Sequence, residues 1–262
     1  MSAGALIVNA DDFGRDRNTT ARILDCFERS ALSSTSAMVF MEDSERAAAL
    51  ARDRNLDTGL HLNLTERFSQ TGTPERLLQH QERVALSLRR HRLRQVLYDP
   101  RLSRSVDYVV QAQIEEYSRI YHAEPRRIDG HHHMHLCANV LYANLLPKGT
   151  IVRRSFSFAA QDKGPVNRMY RRLVDTILAR RHYMADFFYS LPPTDAPGRL
   201  ARIFGLAKDF VVEVETHPAQ PSEYAFLTSG DIFQVAPGVP VACRYSVPDG
   251  SDPSSTPEPV RN

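Results

Sequence analysis

Short apolar runs alternate along this chain with longer stretches whose apolar residues recur at helical spacing. The runs fall at residues 5–10, 35–40, 58–64, 127–131, 150–153 and 210–216, with a weaker one at 184–190 and a short one at 239–243. Between them, helical patterns cover 19–30, 44–54, 105–122 and 167–181. Strand and helix in repetition predict parallel strands joined by right-handed crossovers, hence a doubly wound sheet or an α/β barrel. Clusters of polar residues sit just after several runs. Functional groups gathered at the C-terminal ends of different strands favour the barrel, because its loops converge on that rim. The expected fold is therefore a barrel of about seven parallel strands.

Two segments depart from the repeat. Residues 66–104 are too long and too basic for a single crossover loop, and predict a helical insertion at the rim, a lid or substrate wall. Residues 247–262 are Pro, Ser, Asp and Gly with few apolar positions, the composition of a disordered tail, which leaves one domain over 1–246. The chain has 262 residues, 42% of them hydrophobic, a net charge of +2 and a mean hydropathy of −0.38. Such a balance excludes bulk disorder and argues against a dedicated nucleic-acid binder. No apolar run is long enough to span a membrane, and residues 1–10 lack a secretory n-region, so a cytoplasmic location is expected. Cys26, Cys137 and Cys243 are odd in number and far apart, which favours reduced thiols. Of 33 basic residues 30 are Arg, seven of them within 83–104 and five within 168–181. The plain reading is a codon preference for Arg on solvated helices; the sharper one is an Arg-rich wall meeting an anionic substrate, since guanidinium pairs bidentately with such groups.

Four polar clusters carry the candidate chemistry. The first run ends in Asn-Ala-Asp11-Asp12-Phe-Gly. On an extended strand adjacent side chains alternate, so the two carboxylates face different ways and are free for different roles. In Gly-Leu-His61-Leu-Asn63-Leu-Thr65 the same alternation puts His61, Asn63 and Thr65 on one face and three Leu on the other. The third, Asp129-Gly-His131-His-His133-Met-His135, places four His in five positions after a carboxylate, a metal-binding composition. In Glu213-Val-Glu215-Thr-His217-Pro, alternation groups Glu213, Glu215 and His217; buried acids need partners, and Arg153 or Arg154 can supply one. Together, Asp12, His61 and one His of the 131–135 cluster would make a site of three ligands with open positions, the pattern of a catalytic metal. Water on such a metal is a nucleophile near neutral pH, with Asp11 as base and His217 as acid, which describes metal-assisted hydrolysis.

These four motifs, in this order across residues 5 to about 220, resemble the YdjC-like carbohydrate deacetylases, including chitooligosaccharide deacetylases and hopanoid-biosynthesis-associated members. The resemblance implies a distorted α/β barrel related to the polysaccharide deacetylases, one divalent cation, magnesium or zinc, and removal of an N-acetyl group from an amino sugar. Carried over by position, the metal ligands are Asp12, His61 and His131, the base is Asp11 and the general acid His217. Asn63, Asp129, His133, His135, Glu213 and Arg153 or Arg154 would line the substrate or support the ligands. The Pro-Ala-Gln-Pro after His217 and the Arg-rich insertion depart from the family's pattern, which puts the acceptor sugar in doubt. The expected partner is an N-acetylated sugar: an oligosaccharide, glycolipid head group or nucleotide-linked sugar, which an anionic group would suit. The sequence does not fix the oligomeric state; a homodimer is compatible with it. An esterase or phosphatase on the same scaffold, or a non-catalytic metal- or glycan-binding module, remain the alternatives.

Overall fold

The computed structural model describes residues 4–158, 164–194, 197–235 and 237–245. Seven strands, β1 (Ala5–Phe13), β2 (Ser34–Ala37), β3 (Thr58–Leu62), β4 (Arg127–Gly130), β5 (Ile151–Val152), β6 (Phe187–Ser190) and β7 (Val211–Thr216), form one parallel sheet in the order β5-β4-β3-β2-β1-β7-β6. The edges approach through an isolated bridge between Ile151 and Tyr183, which lies just ahead of β6. The barrel expected from the sequence is thus present in distorted form, curled and joined at one short seam. The 239–243 run contributes a single bridge, Val241 to Leu6, rather than a strand. The expected tail, 247–262, lies outside the described residues.

The helices start where local chemistry allows. α1 (Arg17–Glu28) is capped by Asp16, whose carboxylate accepts from the backbone N–H and hydroxyl of Thr19 at 2.8 Å each. α2 (Ser44–Asp53) presents Ala47, Ala48 and Ala51 to the core. The insertion is helical: α3 (Glu75–Arg90) and the short α4 (Leu93–Val96) precede α5 (Ser103–Tyr121), and Leu77, Val84, Ala85 and Leu88 of α3 are buried. α6 (Ala138–Tyr142), α7 (Pro165–Ala179), α8 (Pro197–Leu206), α9 (Pro221–Thr228) and α10 (Asp231–Gln234) complete the set, with Pro at the first turn of α7 and α9, where its missing N–H is harmless.

Alternation sorts the strands into two faces. Leu6, Val8 and Ala10 of β1, Leu60 and Leu62 of β3, and Val212 and Val214 of β7 join the large core beneath the helices. The other face looks into the barrel. At its floor is a small cluster of Ile7, Ala185, Val211 and Tyr245, and above it come Asn9, Asp11, His61, Asp129, Glu213 and Glu215, all buried. A side chain at Gly59 would meet the Arg127 guanidinium at 2.9 Å. Its absence lets Arg127 cross the interior to Asn9, Ser36 and the Thr35 carbonyl, at 2.9 Å each, beneath which the guanidinium lies over the Tyr245 ring.

Candidate metal centre at the barrel rim

The strand alternation that predicts opposite directions for Asp11 and Asp12 fails at this point. Between Ala10 and Phe13 the pairing of β1 with β2 slips, three steps on β1 matching two on β2, and Asp12 adopts φ 70°. A bulge with a left-handed residue re-aims a side chain, and Asp tolerates that conformation. As a result both carboxylates reach the same imidazole: Asp12 Oδ1 lies 3.3 Å from His61 Nε2 and Asp11 Oδ2 lies 4.0 Å from His61 Nδ1.

Strand geometry also ends sooner than alternation through the His-rich run requires. After Gly130 the chain makes 3₁₀ turns over His131–Leu136, with His132 and His133 left-handed. A Cβ at Gly130 would press on the backbone and ring of His135 at 2.9 Å, so glycine is what lets the loop fold back. His131 Nδ1 comes to 3.0 Å from Asp12 Oδ1. Ligand atoms of Asp12, His61 and His131, all buried, converge within 4.8 Å of one another. His133 stands apart, 3.7 Å from Glu215 and edge-on to Phe156, and His135 turns its Nε2 to the Arg153 carbonyl at 2.9 Å.

The far nitrogens of the two converging imidazoles are both held by carboxylates. His61 Nδ1 donates to Asp129 Oδ1 at 2.8 Å, and His131 Nε2 lies 3.1 Å from Glu66 Oε2. These partners fix the tautomers and leave His61 Nε2, which is buried without a hydrogen bond, and His131 Nδ1 facing the Asp12 oxygen. That donor set fits a divalent cation. A second grouping, Asp11, His61 and Asp129, is geometrically close but carries the Arg153 guanidinium at 2.7–2.9 Å from both carboxylates, which repels a metal ion.

Arg153 is the organising cation. It is 1% exposed, pairs bidentately with Asp11 at 2.7 and 2.8 Å, and reaches Glu213 at 2.7 Å, Asp129 at 2.9 Å and Glu215 at 3.4 Å, with its face over Phe188. Its neighbour Arg154, left open from sequence as the alternative, points away to Asp175 at 2.8 Å, because successive side chains at the end of β5 alternate. Burial raises the Asp11 pKa, but Arg153 and His61 outweigh it and hold the carboxylate ionised. Burial likewise opposes ionisation of Asp12, and the hydrogen bond with His131 and the close imidazole of His61 pull it well below the ordinary range. Burial works against a charged His61, yet the charge of Asp11, the nearby Asp12 carboxylate and the hydrogen bond to Asp129 raise it to about 10. The cluster therefore attracts positive charge at this point, proton or metal ion. His133 and His135 are pushed down by burial, to about 3 and about 4, and are neutral.

His217, just past β7, holds Nε2 3.9 Å from Asp11 Oδ2, and its backbone N–H and the Thr216 hydroxyl both donate to Glu223 at 2.8 Å. About a third of its side chain is exposed, whereas Asp12, His61 and His131 are buried. Asn63 serves the loop instead of the opening: its Oδ1 accepts from the N–H of Thr65 and Glu66, its Nδ2 donates to the Glu66 carbonyl, and it is fully buried. That turn is what returns Glu66 to His131, with Arg15 on the other Glu66 oxygen at 3.0 Å. Glu66, Arg15 and Glu223 were not found from sequence; Asn63 three residues before Glu66 is the Asx-turn signal that points to the first. A cavity of about 200 Å³ adjoins the rim, lined by His132, His133, Arg154, Phe156, Tyr170 and Arg171 among others. Gln95 and Val96 are the insertion's contribution to it. No arginine of the insertion lines it: Arg94 and Arg101 pair with Asp99, and Arg154 and Arg171 are the guanidiniums of its wall.

Fold and cluster together define a parallel α/β barrel with a mixed carboxylate and imidazole group at its C-terminal rim that could hold a cation. The chain belongs to the YdjC-like protein family, whose model matches residues 5–237. It is similar to a chitooligosaccharide deacetylase of Serratia marcescens, 31% identical over 132 residues that make up 50% of each chain. It is also similar to a carbohydrate deacetylase of Danio rerio, 30% identical over 138 residues, 52% of this chain and 43% of that one. The matched region thus spans about half the length of these curated relatives, or less. A solved structure from Enterococcus faecalis, described as a proposed cellobiose-phosphate cleavage protein, superposes with a TM-score of 0.64 at 18% identity, covering 92% of this chain and 97% of that one, and shows the shared fold.

Proposed function

We propose that this chain is a metal-dependent hydrolase that removes an N-acetyl group from an amino sugar. The observation that carries the reading is the convergence of Asp12, His61 and His131 beside Asp11 and His217, with a carboxylate behind each imidazole. The names of the curated relatives support the substrate class. Asp12, His61 and His131 would hold the cation, magnesium or zinc, which when bound supplies Lewis acidity to the amide and a more acidic water. Asp11, clamped by Arg153 and by the Asn9 amide at 2.8 Å, presents a fixed acceptor to the attacking water's proton. A carboxylate held so firmly ionised is a weak base and releases its proton readily. His217, 3.9 Å away and reachable from solvent, then protonates the departing amine.

Acetate release from N-acetylated sugars, with and without chelator and with each metal restored, tests the proposal. Asp12→Ala and His61→Ala should lose bound metal and turnover together; Asp11→Asn should keep the metal and lose about 10²–10⁴ in rate. Metal-loaded protein that releases no acetate but cleaves esters or phosphate esters would overturn the amide assignment, and metal-loaded protein inert towards all of them would leave a binding module. Wild-type acetate release by Asp11→Asn would overturn the base.

A further inference from the structure

The exposed apolar residues gather on segments of the chain that are also rich in arginine. Among the described residues, ten large hydrophobic side chains are exposed, and eight of them lie within a few residues along the chain of residues that line the rim cavity. Leu93, Leu97 and Tyr98 lie on and just after α4, and Tyr142 ends α6, its ring 6.2 Å from that of Tyr98. Phe158 follows the cavity wall, with the Arg171 guanidinium over its ring. On α7, Val166, Met169 and Leu173 are 74%, 68% and 52% exposed. Their spacing of three and four residues makes them one ridge, next to the α7 residues Asn167, Tyr170 and Val174 that line the cavity. A helix interior position of this size left in water has no folding purpose, and several in one patch mark an interaction surface.

Charge says what kind of surface it meets. Segments 83–104 and 165–181, which include α4 and α7, hold twelve Arg and two Asp, a charge of +10, so the rest of the chain sums to −8. Two such faces repel, which disfavours a second copy of this chain as the occupant. Nucleic acid would meet the arginines but leave Leu93, Leu97, Val166, Met169 and Leu173 in water. An apolar ridge flanked by Arg, with tyrosines beside it, matches an anionic lipid surface, where the apolar side chains enter the headgroup boundary and the guanidiniums stay with the phosphates. No described helix is long and apolar enough to cross a membrane, so such contact is peripheral.

We infer that the face formed by α4, Tyr142 and the exposed ridge of α7 docks this protein on anionic membrane surfaces, with the rim cavity turned towards the lipid. The inference stands on its own observations and does not depend on the acetamide chemistry. Flotation of the purified full chain with phosphatidylcholine vesicles, with and without phosphatidylglycerol, tests it. The expected result is binding to the anionic vesicles only, weakened by salt, and reduced about tenfold or more by Met169→Ser with Leu173→Ser, and again by Leu93→Ser with Leu97→Ser. All four positions are exposed, and unchanged circular dichroism and melting confirm that each variant folds. Absence of flotation, or flotation that the ridge variants leave intact, overturns the proposal. A concentration-dependent dimer in sedimentation that the same variants abolish would assign the face to a second copy instead.

Discussion

Replacing Arg153 by Met removes the one cation that touches Asp11, Asp129, Glu213 and Glu215 together. At the observed separations each charge pair is worth about 5–6 kcal/mol gross at an effective dielectric of about 20, but desolvation and mutual repulsion of the acids consume most of that sum. The measurable quantity is the cost of stranding buried carboxylates, about 3–5 kcal/mol. For a chain of this size that predicts a fall in Tm of about 6–20 °C. The pH dependence is a sharper test. Burial already raises Glu213 and Glu215 above the ordinary carboxyl range, with Arg153 as the main opposing influence. Without it the folded variant binds protons that the unfolded chain releases at about pH 4.3. A raised folded pKa gives stability that is complete below the unfolded value and lost as pH rises through the folded one, so the deficit should be large at about pH 8 and shrink towards about pH 5. Arg153→Lys should fall between, since one ammonium cannot span four carboxylates in the guanidinium's fork geometry. Thermal melts across pH provide the assay. A Met variant within about 1 kcal/mol of wild type, or a deficit independent of pH, would refute the description of Arg153 as the charge that holds the interior together.

Two further outcomes follow from single contacts. Glu66→Ala frees His131 Nε2 and should weaken divalent-cation affinity about 10–100-fold, read by competition with a fluorescent chelator; unchanged affinity would detach Glu66 from the site. His182, buried against Thr150 and beside Arg181, is depressed to about 4, first by burial and then by that arginine. Its stability contribution is present above about pH 6.5 and lost as pH falls towards 4, so His182→Gln should flatten the melting curve's decline over that window without changing metal affinity.

Much of the fold was legible because a parallel barrel writes its two faces into the chain. The leucines of 60–64 and the valines of 212–214 lie beneath the helices, while His61, Glu213 and Glu215 look inward, as alternation requires. Strand ends were less legible. The 35–40 run stops at Ala37, and Phe40 is left-handed, a backbone choice that a hydrophobic pattern does not encode. The same is true of the bulge at Asp11 and Asp12, which exists only in the pairing of β1 with β2, and of the left-handed pair His132 and His133. Glu66 was hidden differently: it lies at the first position of the insertion, and only the turn built by Asn63 brings it to His131.

The arrangement of charge favours a cation at the rim and not deeper. Among the described residues, Asp11, Asp129, Glu213 and Glu215 inside the barrel face Arg127 and Arg153 as permanent cations, and Asp12 meets Arg15 alone, which leaves a buried excess of negative charge. The two guanidiniums are not evenly placed. Arg127 crosses below, against Tyr245 and Asn9, and Arg153 reaches the four acids of the middle layer but is not among the partners of Asp12. Compensation is therefore strongest at depth and falls off at the last residue of the layer, where Asp12 has only His61, His131 and the half-exposed Arg15 at 3.4 Å. A mobile cation is stabilised most where fixed positive charge is least and preorganised donors are nearest, which is the oxygen of Asp12 between two imidazole nitrogens. Moving a guanidinium into that layer, as His61→Arg would, should abolish metal binding even if the fold survives, because the position would then carry its own permanent counter-charge.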